Sequence, residues 1–580
     1  MKTVFPSFFL LISLLFHPAQ SHTPQWAKHL GSDWASFQGI VCSGVADAWY
    51  GSSTIAGTFR NTVDFDPGGG VTSLSSTLLG DMYFARYDSN GALSWAKQIA
   101  CFTNGNLQAI TSDASANIFI TGSFADSADF DPGAAVHMMY SNGSEDIFLA
   151  MYDPSGNYLW AISIGADQLD RGLSLATDDA GNVLLAGYFR DTVDFDPGAG
   201  TNIQAISGGN AFARNLFIAS FSNSGLLNWV NVIPSTNDFI DINSNVGGNV
   251  YATGLFTGTI DFDPGAGTTN VTGTGTQNMF IAAYDAAGGL IYAESVANAS
   301  SIYGLNRGGK SIDVDGAGNV FLTGNFSISA DFDPSASTAM LTASFSSAVF
   351  FARYDTAGVY QWAHMIDING VQAHNICLRN NSFLLSGNYL TSGDFDPSAS
   401  TATLTANMGG GWNMYLATYD LNGNYQSAVT FGNTLQDVST GLITNALGDI
   451  FIAGEFQSDS MQFNQGTGVI KIYKTAATFQ NIFFARFAPG TLNAGSPLKQ
   501  NCSASTFPNP SAGEFEMDYS LTDGNDGLLE IYNLAGENIL TRNLAAGSSH
   551  VRLQLDVANG IYLCKIISGA KISSVSFIVD

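Results

Sequence analysis

Short apolar segments separated by polar turns recur along most of this sequence, and one stretch shows the pattern completely. Residues 159–164, 172–177, 183–189 and 216–221 are mostly apolar or alternate between apolar and polar, and Gly, Asn, Asp or Ser residues separate them. Segments of this length without a helical period predict β-strands. The third segment is apolar almost throughout, so we expect a central position for it. Each such unit therefore predicts four short antiparallel strands.

The unit is repeated, and the sequence Asp-Phe-Asp-Pro marks each copy. Its first aspartate recurs at steps of 63 to 70 residues, seven positions after a glycine at the end of a strand. The six copies begin at Asp64, Asp129, Asp194, Asp261, Asp331 and Asp394. A seventh unit keeps the glycine but has Gln462-Phe463-Asn464 instead, with one residue inserted. Such a period predicts supersecondary units that stack on one another.

A tryptophan-bearing strand indicates how the units are arranged. It occurs in five units, and Tyr292 and Ser427 hold the same place in two others. The tryptophans are Trp26, Trp95, Trp160, Trp229 and Trp362. The last unit ends near Phe487 without such a strand, whereas the repeat region begins with one. We therefore predict an all-β fold, a closed seven-bladed β-propeller whose first strand completes the last blade, because closure removes free sheet edges.

The strand order also predicts which loops share a face. If the strands run from the centre outward, the tryptophan strand is outermost. The Asp-Phe-Asp-Pro loop then joins the second and third strands on the face that carries the connections between blades, and turns such as 178–182 lie on the opposite face. The loop has about 20 residues, longer than usual, so we expect it to contain a short strand or a functional surface.

Outside the repeats the sequence predicts three further segments. Residues 1–21 read as a secretory signal, with Lys2, an apolar run over 4–16 and a small-residue cleavage site before His22. After the propeller, which we assign to residues 22–487, we expect a linker rich in Pro, Gly, Asn and Ser over 488–506 and a small C-terminal β-sandwich over 507–580. No later stretch has the apolar length that spans a membrane, so we expect a soluble exported protein.

Composition narrows the possible partners. The 580 residues include 48 acidic and 20 basic ones, giving a net charge of −28, although only 12% are charged. This balance opposes binding to nucleic acid or anionic membranes, and it is compatible with cation binding. Five cysteines without a Cys-x-x-Cys spacing disfavour a zinc site. The sequence does not decide between buried free thiols and a Cys502–Cys564 bridge.

The repeats resemble the seven-bladed β-propeller repeat family of secreted bacterial proteins. The resemblance rests on an aromatic-Ala-Arg-Tyr-Asp stretch with a tryptophan seven residues after its aspartate, as at 84–95, and on a Gly-Asn-Val-x-x-x-Gly stretch, as at 318–324. It covers residues 25–487. The resemblance implies a propeller fold and gives almost no information about function.

The C-terminal part resembles the type A sorting domain of the type IX secretion system. Phe507-Pro508-Asn509-Pro510 with 513–515 matches the opening of that family, 531–537 its middle and 559–563 its penultimate strand. The resemblance implies that the type IX machinery engages residues 507–580, exports the protein across the outer membrane of a Gram-negative bacterium, and leaves it released or attached to the cell surface. The tail departs from the family in having no basic residue after Lys571.

The paired aspartates of the motif are the candidate site residues. They are Asp64 and Asp66, Asp129 and Asp131, Asp194 and Asp196, Asp261 and Asp263, Asp331 and Asp333, and Asp394 and Asp396. In an extended segment both carboxylates point to one side and the phenylalanine to the other. Either the carboxylates accept backbone N–H groups and fix a turn, or with loop carbonyls they bind calcium, which prefers several oxygen ligands. Near-identical copies disfavour catalysis, because catalytic carboxylate pairs need two different environments.

Other acidic turns have the same ambiguity. Residues 313–319 resemble the start of a calcium loop but lack its closing glutamate, and their counterparts in other units are ordinary hairpin turns. We predict turns here and at the Tyr-Asp-x-x-Gly copies. Those copies contain Asp88, Asp153, Asp285, Asp355 and Asp420.

No nucleophile motif, phosphate-binding loop or paired histidine occurs in the sequence. The leading hypothesis is therefore a non-catalytic propeller that binds a glycan or a protein as an adhesion module outside the cell. One alternative is a glycan hydrolase or lyase with its site at the mouth of the central channel, which a non-repeating cluster of carboxylates or histidines there would favour. Another is a purely structural surface protein.

Overall fold

Antiparallel strands make up all the regular secondary structure in the part of the chain that the computed structural model describes, and no helix occurs there. Contacts divide the chain into two units, residues 1–491 and 492–580. The described residues are 23–31, 39–48, 51–76, 80–205, 214–235, 237, 239–273, 277–299, 311–406, 410–445, 447–463, 470–475, 479–488, 503–507, 514–520, 527–532, 538–544, 550–555, 557, 560–568 and 571–579.

The N-terminal part opens with one strand, β1 (Thr23–Leu30). Each of the next six units has four main strands and the seventh has three, with a short two-stranded hairpin between the second and third in every unit. Unit 1 contains β2 (Ile40–Ala48), β3 (Ser52–Phe59), β4 (Thr62–Asp64), β5 (Ser73–Ser75), β6 (Asp81–Tyr87) and β7 (Leu93–Cys101). Unit 2 contains β8 (Gly105–Ser112), β9 (Ile118–Phe124), β10 (Ser127–Asp129), β11 (Met138–Tyr140), β12 (Asp146–Tyr152) and β13 (Tyr158–Ile164). Unit 3 contains β14 (Arg171–Thr177), β15 (Val183–Phe189), β16 (Thr192–Asp194), β17 (Ile203–Ala205), β18 (Arg214–Phe221) and β19 (Leu227–Ser235).

The remaining units follow the same plan. Unit 4 contains β20 (Ile240–Ser244), β21 (Val250–Phe256), β22 (Thr259–Asp261), β23 (Asn270–Thr272), β24 (Gln277–Tyr284) and β25 (Leu290–Ala299). Unit 5 contains β26 (Ser311–Val314), β27 (Val320–Phe326), β28 (Ser329–Asp331), β29 (Met340–Thr342), β30 (Ala348–Tyr354) and β31 (Tyr360–Ile366). Unit 6 contains β32 (Val371–Arg379), β33 (Ser382–Tyr389), β34 (Gly393–Asp394), β35 (Thr403–Leu404), β36 (Asn413–Asp420) and β37 (Tyr425–Phe431). Unit 7 contains β38 (Asp437–Thr444), β39 (Ile450–Phe456), β40 (Ser460–Gln462), β41 (Lys471–Tyr473) and β42 (Asn481–Ala488).

The main strands of each unit form one antiparallel sheet in chain order. In unit 3 the order is β14–β15–β18–β19, and in unit 7 it is β38–β39–β42–β1. Strand β1 pairs with β42, with Thr23 opposite Ala488 and Leu30 opposite Ile482. The prediction that the first strand of the repeat region completes the last unit is confirmed, as is the expected short strand structure within each motif loop.

Neighbouring sheets pack through their apolar faces. The first strand of each unit contacts the first strand of the next, from β2 through β8, β14, β20, β26 and β32 to β38, and β38 contacts β2. Central strands such as β15 are buried along their whole length. One apolar cluster joins Phe119 and Leu149 of unit 2 to Leu185 and Phe217 of unit 3. Each sheet therefore buries both faces against its two neighbours.

The recurring glycine that precedes the motif allows close contact between two strands. In unit 3 the first strand bulges between Gly172 and Ser174, opposite Gly187 on the second strand. A Cβ atom added at Gly187 would overlap the carbonyl oxygen of Arg171. The glycine is thus required by a backbone contact that recurs with the bulge.

The tryptophan strand is the outermost of the four main strands of each unit, as predicted. Strand register places Trp95 opposite Arg86, Tyr292 opposite Ala283 and Ser427 opposite Thr418, which confirms the equivalence of these three positions. The half-buried indole reaches the next unit. Trp160 Nε1 donates to the Asn223 carbonyl (2.8 Å), and similar bonds join Trp26 to Ser89 and Trp229 to Ala286.

The C-terminal part consists of β43 (Ser503–Phe507), β44 (Glu514–Ser520), β45 (Gly527–Tyr532), β46 (Asn538–Leu544), β47 (His550–Gln554), β48 (Gly560–Ser568) and β49 (Lys571–Val579). They form two sheets, β43–β44–β47 and β46–β45–β48–β49. Val551 and Leu553 from the first sheet and Leu529, Ile531 and Cys564 from the second share one buried cluster. This part is therefore a small two-sheet β structure.

Several sequence-based expectations fall at the edges of the described residues. The predicted signal peptide, residues 1–21, lies outside them, as do residues 489–502 of the predicted linker. Cys42, Cys101 and Cys377 are free thiols, whereas Cys502, and with it the possible Cys502–Cys564 bridge, lies outside the described residues. No helix of the described chain has the length and apolar character needed to cross a membrane.

The pairing of β1 with β42 predicts a specific cross-link. Ala27 lies opposite Ala485, so cysteines introduced at both positions have the separation that a disulfide requires. We expect the oxidised Ala27→Cys/Ala485→Cys variant to form that bond in high yield, mapped by mass spectrometry of digested protein. The matched control is Ala27→Cys/Ala453→Cys, because Ala453 lies on β39, one strand farther away. Equal yields in both variants would contradict the pairing.

Candidate functional site

The motif hairpins are held by a buried aromatic cluster, which unit 3 shows clearly. Phe195 follows β16 and is fully buried. Its ring lies 5.3 Å from Phe189 at the end of the second strand and 4.9 Å from Phe217 on the third strand. Ring pairs at this separation stabilise the fold beyond simple burial. The phenylalanine of the motif therefore fixes its hairpin to the sheet of the same unit.

The same cluster recurs in every unit, including the one whose motif has changed. The central residues are Phe65, Phe130, Phe195, Phe262, Phe332, Phe395 and Phe463. In unit 7 the aspartates are absent, yet Phe463 is buried and lies 5.7 Å from Phe483. The phenylalanine is thus the part of the motif that all seven units share.

The first aspartate of each motif accepts two backbone N–H groups. Asp194 Oδ1 receives the N–H of Asp196 (3.1 Å) and that of Asn202 (2.7 Å), which closes the loop of the hairpin. Equivalent pairs of bonds are made by Asp64, Asp129, Asp261, Asp331 and Asp394. The donor in the second bond always lies eight residues after the aspartate.

The second aspartate fixes the residues after the proline. Asp196 Oδ1 accepts the N–H of Gly198 (2.8 Å). Asp66, Asp131, Asp263, Asp333 and Asp396 make the same bond to the residue two positions later. Hydrogen bonds of this kind stabilise turns.

These contacts bear on the two interpretations of the twelve aspartates. The structure brings each pair together within one hairpin, one pair for each of the first six units. In the described part of the chain no three His, Cys, Asp or Glu side chains come together as metal ligands. The observed bonds are those of the turn interpretation, since N–H donors are directed at the oxygens a cation would need. Calcium binding stays a prediction.

A tyrosine hydroxyl completes the motif in five units. Tyr354, the last residue of the third strand in unit 5, donates from Oη to the carbonyl oxygen of Phe332 (2.9 Å). Tyr87, Tyr152, Tyr284 and Tyr419 make the same bond. Phe221 ends the corresponding strand in unit 3, so the bond is a local addition to a cluster that holds without it.

The turns predicted at the Tyr-Asp-x-x-Gly copies are present in the structure. Asp88 Oδ1 accepts the N–H groups of Asn90 (2.8 Å) and Ala92 (2.9 Å), as expected for a hairpin turn. The same pattern occurs at Asp153, Asp285, Asp355 and Asp420. In the segment that resembles a calcium loop, Asp315 Oδ1 accepts the N–H groups of Ala317 and Asn319.

Two carboxylates on the first strands make bonds that the sequence reasoning did not anticipate: Asp241 was not singled out, and Asp313, expected in a turn, lies on β26. Asp241 on β20 accepts Ser174 Oγ–H (2.7 Å) at one oxygen and the N–H of Ile312 (3.1 Å) at the other. Asp313 on β26 accepts Asn243 Nδ2–H (2.7 Å) and the N–H of Leu378 (2.6 Å). Together these bonds link the first strands of four consecutive units, β14, β20, β26 and β32.

These carboxylates do not belong to the repeat. The register position of Asp241 is held elsewhere by small or neutral side chains, namely Gly44, Ala109, Ser174, Ser311, Asn375 and Gly441. Burial raises the pKa of Asp313 to about 6, although the N–H bond from Leu378 acts to lower it. Burial also raises the pKa of Asp241. Comparing this position among the aligned repeats could have revealed them in the sequence.

One histidine lies on the next first strand. His374 Nδ1 is 2.7 Å from the carbonyl oxygen of Ser439 on β38. Burial lowers the pKa of His374 to about 4, so the ring is neutral at physiological pH and donates to that carbonyl. Asp241, Asp313 and His374 form a non-repeating polar set, and each member bonds to a neighbouring first strand.

Comparison with known proteins identifies one part of the chain. Residues 505–580 match a family described as "Secretion system C-terminal sorting domain". This match confirms the sorting domain in the C-terminal part and indicates handling by the type IX secretion system. Export, with a cell-surface or secreted location, follows from it.

The repeats have a distant relative among known sequences. An uncharacterised WD repeat-containing protein of Acanthamoeba polyphaga mimivirus is 26% identical over 247 residues. The alignment covers 38% of this chain and 18% of that protein, so this chain spans less than a fifth of its relative.

Two solved structures are similar to parts of the chain. Dimeric latent PorU from Porphyromonas gingivalis is 10% identical, with 75% of this chain and 31% of that chain covered and a TM-score of 0.13. A tetra-tandem repeat in the extending region of a large adhesion protein is 11% identical, with 87% and 95% covered and a TM-score of 0.12. Scores this low carry no argument about the fold.

The contacts of Asp261 predict how its substitutions behave. Asp261→Ala leaves the N–H groups of Asp263 and Thr269 without their acceptor, so we expect a loss of about 1–2 kcal/mol in unfolding free energy. Asp261→Asn keeps an oxygen in place and loses less. Urea unfolding of both variants measures the difference.

Calcium is tested on the same proteins. If the aspartates serve only as turn residues, the thermal midpoint of the wild type is the same in excess calcium and in chelator. A rise in calcium that Asp261→Asn reduces would instead establish metal sites, because a ligand bound only by the folded state must raise the midpoint.

The burial of Asp313 predicts a pH-dependent stability. Its folded pKa of about 6 lies above the unfolded value of about 4, so its contribution to stability is full below pH 4 and is lost as the pH rises through 6. We expect Asp313→Asn to be stabilised relative to wild type by roughly 1–3 kcal/mol more at pH 7.5 than at pH 4.5, measured by urea unfolding. Asp179→Asn at an exposed turn is the control. A pH-independent difference would contradict the prediction.

Proposed function

We propose that the repeat region is a closed seven-bladed β-propeller that acts outside the cell as a non-catalytic binding or adhesion module for a glycan or a protein. The observation that carries the proposal is the cyclic series of contacts between first strands, from β2 to β38 and back to β2. The pairing of β1 with β42 supports closure. The similarity to a WD repeat-containing protein supports a propeller type of repeat.

The sorting domain supports the extracellular part of the proposal. Residues 505–580 match a secretion sorting family, so the repeats are delivered to a place where surface ligands are the available partners. A closed ring would present its seven motif hairpins as repeated binding surfaces. The hairpins also expose apolar side chains to solvent, among them Val71, Ile203 and Tyr473, and such side chains are frequent in protein and glycan contacts.

The polar set on the first strands defines the competing enzyme function. Asp241, Asp313 and His374 are non-repeating, which is what a catalytic site in the ring requires. Their hydrogen bonds argue for a structural role, because both oxygens of Asp241 and of Asp313 accept protein donors and His374 is bonded to a neighbouring carbonyl. We therefore favour binding over catalysis.

The test is a binding screen with the full-length purified protein. We expect saturable binding to at least one glycan or extracellular protein, with the ligand recovered chemically unchanged by mass spectrometry. Cleavage of a bound glycan that is lost in both Asp241→Asn and Asp313→Asn variants would establish the enzyme instead. Absence of binding throughout a broad screen would leave the structural alternative.

A further inference from the structure

A cavity of about 260 Å³ lies between units 1 and 2 on the face that carries the hairpins. Its wall combines apolar residues with polar side chains from three segments. Thr58 lies near the end of β3, Arg60 follows that strand, and Asn104 lies between β7 and β8. Gly80 and Gly105 complete the wall without side chains.

The polar side chains of this wall have no partners. Within the described chain, no hydrogen bond or ion pair engages the Arg60 guanidinium, the Asn104 amide or the Thr58 hydroxyl. Two other arginines show the contrast, since Arg86 donates to the Pro154 carbonyl and Arg486 pairs with Asp449. The guanidinium of half-buried Arg60 therefore lines the cavity with its donors available to an acceptor that enters it.

Unit 2 shows what the same place accommodates. Ser123 occupies the register position of Thr58, and Glu145 precedes the third strand as Gly80 does in unit 1. Glu145 Oε2 accepts Ser123 Oγ–H (2.7 Å) and Arg171 Nε–H (3.0 Å). Unit 2 thus fills this place with a carboxylate held by a hydroxyl and by an arginine of the next unit. Unit 1 keeps the hydroxyl at Thr58 and lacks the carboxylate, and its arginine is Arg60, which follows β3 and approaches the place from another position.

We propose that the cavity between units 1 and 2 binds the carboxylate of a small acidic saccharide, a uronic acid, with Arg60 as the charged partner and Thr58 and Asn104 as hydrogen-bonding partners. This inference names a ligand for the binding module proposed above and rests on that proposal. Arginine binds carboxylates in a bidentate geometry. The hydroxyl and amide match sugar hydroxyls, which an acidic peptide side chain lacks.

Size and charge restrict the ligand further. Small-molecule sites usually have volumes of roughly 300–1,000 Å³, so this cavity accommodates about one sugar ring. A net charge of −28 repels polyanions at long range, whereas one carboxylate within contact distance of Arg60 is attracted locally. A single uronic acid unit, or one at the end of a chain, fits both restrictions.

The experiment measures binding of glucuronate and galacturonate to the full-length protein by isothermal titration calorimetry and ligand-observed NMR. We expect both uronates to bind, neutral glucose and galactose to bind at least tenfold more weakly, and Arg60→Gln to weaken uronate binding at least tenfold. Thr58→Val is a second variant with intact charge, in which we expect a smaller loss.

The matched control is Arg190→Gln. Arg190 follows β15 as Arg60 follows β3. Its backbone N–H donates to Asp170 Oδ1 (2.8 Å), and the variant retains this bond because only the side chain is changed. We expect uronate binding to be unchanged in it, with thermal unfolding used to verify that all variants fold.

Three outcomes would overturn the inference. Acetate that binds as tightly as uronate would show a simple anion site. Uronate binding that Arg60→Gln and Thr58→Val leave intact would place the ligand elsewhere. Failure of uronates to bind while the broad screen finds another ligand would remove this site but leave the binding module, whereas failure of both assays would remove both proposals.

Discussion

The structure depends on the burial of both faces of every sheet. The second and third strands of each unit are almost entirely buried, so a sheet with a neighbour on only one side would expose one of its packed faces to water. In a row of units this problem always remains at the two ends. Pairing of β1 with β42, together with the contact between β38 and β2, gives the last sheet a neighbour on each side. The sequence alternation, the strand order and the placement of the first strand all follow from this one constraint.

The repeated features are the ones that sequence reasoning predicted well. Strand positions, the outermost place of the tryptophans, and the turns at Asp88 and Asp153 recur with the period, so each copy supports the others. The glycine before the motif was recognised by its recurrence, but its cause, a bulge that brings Arg171 against Gly187, depends on strand pairing that the sequence does not display.

The non-repeating features could not be predicted in the same way. The role of Asp241 and Asp313 depends on their bonds to neighbouring units, which the sequence does not show. The cavity beside Arg60 is lined by Gly80, which has no side chain where unit 2 has Glu145. The pairing of β10 with β7 and of β28 with β25, which occurs in two of the seven sheets, is of the same kind. In a repeat protein the common residues predict the scaffold, and the departures from them mark the places where individual units differ in chemistry.

The pairing of β1 with β42 also imposes an order on folding. Residues 23–30 precede all seven units in the chain, and their partner, residues 481–488, is the last strand of the seventh, so the last sheet cannot be complete until the whole repeat region has been made. Contacts between such distant segments are slow to form, and until they do β42 has an unpaired edge and β38 lacks its contact with β2. The last sheet is therefore completed by the segment farthest from it along the repeat region, and the two ends of that region hold each other in place.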